Sequence, residues 1–249
     1  MWNSRVRKGV VIAAGQGTRM QPVTGAWPKV LFEYEGMPLI SYPVQALAAA
    51  GIEEIAVVVG YRKELVQADL GDGGHLGITL TYVDNPYYQW SENALSVLTA
   101  GRWTQQEPFV LCMGDHVMDP SMVERLLAIP REHDTVCVDR HPAFCADLEE
   151  ATRVRLDKHG HILRIGKGLR RWDAVDTGVF LMTRRFTDAA RQFIAVHGMR
   201  TGISHVVQHM VDSGQCFDTC DVTGLFWADM DSQADIDHAT LKAADDATV

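Results

Sequence analysis

Apolar and polar positions along the first half of the chain change period several times. Val10–Ala14 is an unbroken apolar run, long enough for a buried strand and too short for a helix. Similar strand-length runs recur at Glu54–Val59, Thr79–Val83, Phe109–Met113 and Thr135–Asp139. Between them, Pro38–Ala50, Lys63–Leu70, Glu92–Gly101 and Ser121–Ala128 read as helices, and Gly51 stands where a glycine closes a helix. This alternation predicts an α/β fold with mainly parallel strands joined by right-handed crossovers.

The pattern shifts in the middle. Thr152–Leu156 and Ile162–Ile165, separated by His159-Gly160, read as a β-hairpin. Ala174–Met182 contains a strand, Arg185–Val196 and Gly202–Asp212 are helical by period, and Cys216–Val222 and Phe226–Ala228 read as strands. Ser232–Ala244 closes the chain as a helix with Ser232 as its N-cap. No linker, repeat or low-complexity segment interrupts the sequence, so a single domain is expected over 1–249.

Composition narrows the class. With 249 residues, 47% of them hydrophobic, the chain can bury a sizeable core. No apolar run approaches the ~20 residues that span a bilayer, and the stretch behind the charged amino terminus is too short for a signal peptide. A cytoplasmic location and no membrane partner are expected. The net charge of −9 argues against nucleic acid as a partner. Of the five cysteines, Cys112 and Cys137 fall inside apolar strands and read as core thiols. Cys145, Cys216 and Cys220 lack C-x-x-C spacing, which argues against a zinc site. His205 and His209 have i,i+4 spacing but lack the Glu of H-E-x-x-H, and read as a partly exposed helix face.

The chemistry starts where the first strand ends. Gly15-Gln16-Gly17-Thr18-Arg19 opens a glycine-rich turn, and Pro22, Thr24, Pro28 and Lys29 follow at fixed spacing. Such a turn offers bare backbone N–H groups at the carboxyl end of a sheet, where phosphates bind in open α/β folds. Arg19 and Lys29 add two cations suited to a triphosphate. The spacing is not that of a P-loop, and Met20 stands where a dinucleotide fingerprint needs its third glycine. The pattern G-x-G-T-R-x-x-P-x-T-x-x-x-P-K resembles the signature of nucleotidyltransferases that activate sugars and alcohols.

Acidic strand ends supply a second feature. Asp115 follows the strand Phe109–Met113 and would face the same crevice, where a hard carboxylate suits Mg²⁺. Asp119, before Pro120-Ser121, reads instead as a turn cap. Asp229 and Asp231 lie one residue apart at another strand end, so that one of them could join Asp115 at a metal while the other caps the final helix. Lys167 sits between two glycines after the hairpin. By itself it reads as a solvated turn lysine, and Arg170-Arg171 as a solvated pair.

Taken in order, Gly114-Asp115-His116-Val117, Glu150-Ala-Thr-Arg153, Ile165-Gly-Lys167 and Asp176-Thr-Gly178-Val-Phe180 make the resemblance narrower. From about Val10 to Ala243 the chain resembles the family of CTP:inositol-1-phosphate cytidylyltransferases and phosphonate cytidylyltransferases. The resemblance implies a single Rossmann-like, GT-A-like α/β domain with a mixed, mainly parallel sheet, a nucleotide-binding half over about 1–118 and an acceptor half over about 119–249. It implies that Ala13, Ala14, Gly15, Gly17, Thr18, Asn93 and Ser96 hold the nucleotide, and that Arg19 and Lys29 contact its phosphates. Asp115 and Asp231 would bind Mg²⁺. Lys167 would act at the acceptor's phosphate, with Glu150, Arg153 and Asp176 around the acceptor. Val97 after Ser96, Arg153 in place of a common Lys, and Ser232-Gln-Ala-Asp235 in place of Thr-Pro-x-Asp are departures from the family pattern.

The implied partners are CTP and a small phosphate or phosphonate acceptor, with pyrophosphate released; a homodimer is left open. A phosphate monoester is mostly dianionic at pH 7, its second pKa being about 6, so it needs cations and alignment rather than a general base. That matches a candidate set made of cations and carboxylates, without a Ser-His-Asp or Cys-His group. Rival readings are a nucleotidyltransferase using another NTP and a sugar-1-phosphate, a metal-dependent glycosyltransferase, and a non-catalytic nucleotide-binding regulatory domain. The glycosyltransferase would show Asp-x-Asp where this chain has Asp115-His116-Val117, and the regulatory domain would lack Arg19, Lys29 or Asp115.

Overall fold

The computed structural model describes residues 6–20, 24–129 and 132–246, without side chains beyond 242. Signature positions 21–23, including Pro22, and the first residues of the charged amino terminus lie outside the described residues. The apolar run beginning at Val10 becomes β1 (Lys8–Ala13), and its two faces show why it reads as continuous. Val11 and Ala13 enter one hydrophobic cluster, Val10 and Ile12 another on the opposite side of the sheet. Helices cover both faces, so every position of the strand is buried.

After β1 come two short strands, β2 (Glu33–Tyr34) and β3 (Met37–Pro38), then α1 (Ser41–Ala49), β4 (Glu54–Val59), α2 (Lys63–Leu70) and β5 (Thr79–Asp84). Next are α3 (Asn93–Ala100), β6 (Phe109–Met113), β7 (His116–Met118), α4 (Ser121–Ala128) and β8 (Thr135–Asp139). The hairpin strands β9 (Arg153–Leu156) and β10 (Ile162–Gly166) lead to β11 (Ala174–Met182), α5 (Arg184–His197) and α6 (Ile203–Asp212). The chain closes with β12 (Asp218–Asp221), β13 (Trp227–Asp229) and α7 (Gln233–Asp246).

One nine-stranded sheet carries the order β10-β9-β11-β6-β1-β4-β5, with β8 pairing β11 and β12 pairing β8. β6, β1, β4 and β5 are parallel, as expected. β11 is antiparallel to β6, β8 and β9, so the sheet is mixed but mostly parallel in its centre. The chain leaves β1 toward β4 and β5, then returns to place β6 on β1's other side. That reversal opens a crevice beyond the carboxyl ends of β1 and β6, the general ligand position of open α/β sheets.

Element positions follow the sequence pattern closely, with two differences. Pro38 belongs to the β2–β3 ribbon, and α1 starts three residues later, with Pro43 accommodated in its first turn. β7 pairs antiparallel with β13 in a separate two-stranded ribbon, too short to show a period. A small third cluster, including Met20, Tyr34, Leu39, Val117, Met230 and Ile236, packs this ribbon and α7 beside the crevice. Among the described residues no helix is long and apolar enough to cross a membrane.

Candidate active site

The glycine turn leaves β1 at the crevice. Gly17 has φ +61, and a Cβ there would lie 2.4 Å from Lys29 Cβ. Glycine is therefore required both by the left-handed backbone and by the lysine packed beneath it. Lys29 is 4% exposed, and its ammonium is surrounded by acid. Nζ donates to Asp115 Oδ2 at 2.7 Å and to Asp231, and lies 3.6 Å from Asp229 Oδ1. Burial alone would favour the neutral amine, but Asp115, Asp229 and Asp231 outweigh it and hold Lys29 above its ordinary range. Arg19, more than half exposed, pairs with the other oxygen of Asp231.

The carboxylates come from two strand ends. Asp115 follows β6, and its carbonyl accepts from Met230 N at 3.2 Å, tying it to the exit from β13. β7–β13 pairing sets His116 directly across from Asp229. His116 Nδ1 donates to the Thr177 carbonyl at 3.0 Å, which leaves Nε2 facing Asp229 and Asp115 at 3.7 and 3.9 Å. The ring fits because residue 178 is glycine: a Cβ there would come within 2.5 Å of it, and φ is +78.

Burial would raise the Asp115 carboxyl, but Lys29 and His116 hold it down at about 2. Desolvation lifts Asp229 to about 7, aided by Asp115 and Asp231 and opposed by His116 and Lys29. Burial would lower His116, but Asp229 and Asp115 reverse that and raise it.

A divalent metal fits this set. Donor atoms of Asp115, His116 and Asp229 lie within 4.8 Å of one another. The Oδ1 atoms of Asp115 and Asp229 are buried and make no hydrogen bond. Two hard oxygens in that state are what Mg²⁺ takes. Asp231, expected to share the metal with Asp115, has its oxygens engaged by Arg19 and Lys29. β13 ends at Asp229, so the strand geometry expected to orient the two acids alike stops short of Asp231.

Two cavities meet over these acids. A cavity of about 460 Å³ is lined by Ala13, Ala14, Gly15, Gly17, Thr18, Arg19, Lys29, Asn93, Ser96, Asp115 and Asp231. All the nucleotide-side residues named from the sequence are thus together. A larger cavity of about 840 Å³ shares Arg19, Asn93, Asp115 and Asp231 and adds His116, Glu150, Lys167, Asp176 and Asp229. Asn93 Oδ1 also accepts from Ile203 N at 2.8 Å, holding the start of α6. Ser96 Oγ accepts from Asn85 Nδ2 at 3.1 Å. Asn85, buried at the end of β5, also lines the smaller cavity. No motif in the sequence marks Asn85, which enters the cavity through its bond to Ser96.

In the larger cavity, Lys167 pairs with Glu150 at 3.0 Å, both more than half exposed. Asp176 accepts from Gly178 N at 2.8 Å, and burial raises its carboxyl to about 6. Arg153, expected beside Lys167, does not line the cavity. Its guanidinium donates to the carbonyls of Leu148 and Leu169 and lies over the Trp172 ring, so it staples two loops. His205 and His209 are likewise structural: His205 Nδ1 accepts from Gly202 N at 3.1 Å, and His209 packs against Phe193.

Comparison with known proteins agrees with this architecture. The chain is 38% identical over 238 residues to the bifunctional IPC transferase and DIPP synthase of Rubrobacter xylanophilus, covering 92% of this chain and 51% of that protein. It is 32% identical over 166 residues to the 2-aminoethylphosphonate cytidylyltransferase of Lancefieldella rimae, covering 67% of this chain and 63% of the other. The chain thus spans about half the length of the first relative and under two thirds of the second. Among solved structures, the inositol-1-phosphate CTP transferase from T. maritima superposes with a TM-score of 0.84 at 28% identity, covering 96% of this chain and 97% of that one. The MobA-like NTP transferase domain profile matches residues 9–209, from β1 into α6. A match of that extent, with the glycine turn and acidic strand ends at its mouth, makes this chain a nucleotidyltransferase domain of the MobA-like NTP transferase family.

Proposed function

We propose that the domain transfers CMP from CTP to a small phosphate- or phosphonate-bearing alcohol or amine and releases pyrophosphate, with Mg²⁺. The observation that carries this reading is the meeting of two cavities over one cluster of acids and cations. One cavity begins at the glycine turn, and the other is floored by Asp115, Asp229 and Asp231 and rimmed by Lys167. The names of the relatives, an inositol-1-phosphate CTP transferase and a 2-aminoethylphosphonate cytidylyltransferase, support CTP and an anionic acceptor.

The residues divide the task. Backbone N–H groups of residues 15–18 bind the triphosphate, and Arg19 swings from Asp231 to the β- and γ-phosphates. Lys29 keeps Asp115 ionised and holds Asp115 and Asp231 aimed at the mouth. Asp115 and Asp229, with His116 beside them, are the residues that would hold Mg²⁺, which would supply charge neutralisation for the nucleotide phosphates. Lys167 leaves Glu150 and brings the acceptor's dianion in line with the α-phosphorus. An acceptor oxygen then bonds to that phosphorus as the bond to the bridging oxygen of pyrophosphate breaks.

The test is a pyrophosphate-release matrix of four NTPs against inositol phosphate, aminoalkyl and hydroxyalkyl phosphonates, and sugar-1-phosphates. Release with CTP and a non-sugar acceptor is expected. Release only with another NTP and a sugar-1-phosphate would reassign the substrates, and no release with any pair would leave a binding domain.

A further inference from the structure

A second cluster of metal-binding side chains lies away from the mouth. His133 precedes β8, Cys216 and Asp218 open β12, and His161 closes the turn of the β9–β10 hairpin. His133 Nδ1 is 3.0 Å from Asp218 Oδ2, and Cys216 Sγ is 3.6 Å from Asp218 Oδ1. Donor atoms of His133, Cys216 and Asp218 all lie within 4.8 Å of one another. His161 Nε2 approaches the same carboxylate at 3.5 Å, while its Nδ1 is held by Asp157 Oδ2 at 3.2 Å.

The register fixes where this cluster sits. Asp218 pairs with Thr135, Thr135 with Leu181, and Leu181 with Val110 near the start of β6. The catalytic mouth begins at Gly114, beyond the other end of β6. Four residues of strand, on the order of 13 Å, separate the two levels. The cluster therefore contributes nothing to the mouth directly.

We infer that His133, Cys216 and Asp218 form a site for a zinc-class divalent metal, and that His161, which already approaches the same carboxylate but stands outside this set, closes on the metal as a fourth donor and pins the β9–β10 hairpin to the start of β12. Zinc takes nitrogen, sulfur and carboxylate oxygen tetrahedrally, and such donors stand roughly 3.2–3.7 Å apart around it. Cys216 Sγ and His161 Nε2 stand 3.6 and 3.5 Å from Asp218 Oδ1, within those edges, and His133 Nδ1 stands 3.0 Å from Oδ2 of the same carboxylate. A thiol and imidazoles are poor ligands for Mg²⁺, so the site is chemically distinct from the acidic mouth. The Asp157–His161 contact is the carboxylate–histidine arrangement that orients a metal-binding imidazole, here leaving Nε2 for the metal.

The backbone holds the segments together before any metal arrives. Ile162 N donates to the Phe217 carbonyl at 3.0 Å, and Thr219 Oγ1 to the Gly160 carbonyl at 2.7 Å. Asp218 N donates to the Asp134 carbonyl at 2.8 Å, bringing His133 alongside. Metal binding closes the rest. Because the far end of the hairpin leads into the Lys167 turn, the pin also steadies the acceptor rim.

Cobalt reports thiolate ligation directly. Chelator-stripped chain is titrated with Co²⁺ while the visible and near-ultraviolet spectrum is followed. One equivalent should give a thiolate-to-cobalt charge-transfer band and intense tetrahedral d–d bands. Cys216→Ser should abolish the charge-transfer band, and His133→Gln should weaken Co²⁺ binding at least tenfold. Cys145→Ser, which alters the thiol at the acceptor cavity, should leave the band intact, as should Asp115→Asn. Zn²⁺ should raise the melting temperature of the wild-type chain and of Asp115→Asn but not of folded His133→Gln. No charge-transfer band in the wild type, a band that survives Cys216→Ser, or one lost in Cys145→Ser would overturn the site. Because none of these readouts needs turnover, they stand apart from the cytidylyltransferase test.

Discussion

The two sides of the crevice are built differently. On the nucleotide side, Lys29 is buried, contacts three carboxylates, and rests on a turn that fixes Gly17 in the left-handed region. The turn follows β1 and Asp115 follows β6 in the middle of the sheet, while Asp229 and Asp231 come from the β7–β13 ribbon beside it. On the acceptor side, Lys167 reaches Glu150 across solvent, on a glycine-flanked turn after a hairpin at the sheet's edge. One side is packed and charge-compensated within the fold; the other carries an exposed ion pair. Under the proposed function, the nucleotide chemistry would rest on the tightly packed side and the choice of acceptor on the side that is easier to alter.

The largest effect expected is at the two acids proposed to hold the metal. Asp115→Asn and Asp229→Asn should each keep the fold and lower kcat at least a hundredfold, on the order of a lost metal contact. Steady-state pyrophosphate release with saturating Mg²⁺ checks this, and near-normal turnover in either folded variant would remove that residue from the metal site. Asp231→Asn sharpens the distinction: with its oxygens on Arg19 and Lys29, it should lose less than the other two.

Lys29 couples chemistry to stability. Lys29→Met leaves three acids without their buried cation and should cost about 3 kcal/mol of stability in metal-free buffer, with a similarly large fall in kcat. Denaturant unfolding measures the first and turnover the second. A variant as stable as wild type would mean that the acids repel little, and that the nucleotide side is less rigid than its geometry implies.

Lys167→Ala tests the looser side. It should raise the acceptor KM and cut kcat/KM for transfer by tens of fold, while calorimetric CTP affinity stays within a fewfold. Unchanged turnover would make it a solvated turn lysine; lost CTP binding would move it to the wrong substrate. Arg153→Ala should act differently, lowering stability through its two loops more than it changes the acceptor KM.

The smallest effect concerns pH. Asp176 is raised by burial to about 6, so its contribution to stability is full below the ordinary carboxylate pKa near 4 and is lost as pH rises through 6. Asp176→Asn removes that ionisation and should stabilise the fold at pH 8 relative to pH 5 by about 1 kcal/mol. Equal effects at the two pH values would show that the carboxyl is solvated in the folded chain.

The local physics of the chain was legible in its pattern. Runs such as Val10–Ala14 and Phe109–Met113 mark strands because both faces are buried, and Gly17, Lys29 and Asp115 carry their chemistry at strand ends in fixed spacing. The hairpin marked β9 and β10 as antiparallel partners, but the structure alone set β11 antiparallel to β6 and β8, since β8 and β11 have the same apolar texture as the parallel strands. It alone separated Asp229 from Asp231, because a two-residue difference at the end of a three-residue strand leaves no periodic trace. Arg153 and Lys167 are both cations beside a hairpin, and only packing sent one to Leu148 and Leu169 and the other to the cavity rim. The same holds for His133, His161, Cys216 and Asp218, which share no motif spacing. Sequence distance governs turns and caps, whereas side chains from three segments meet only when hydrogen bonds between strands bring those segments together.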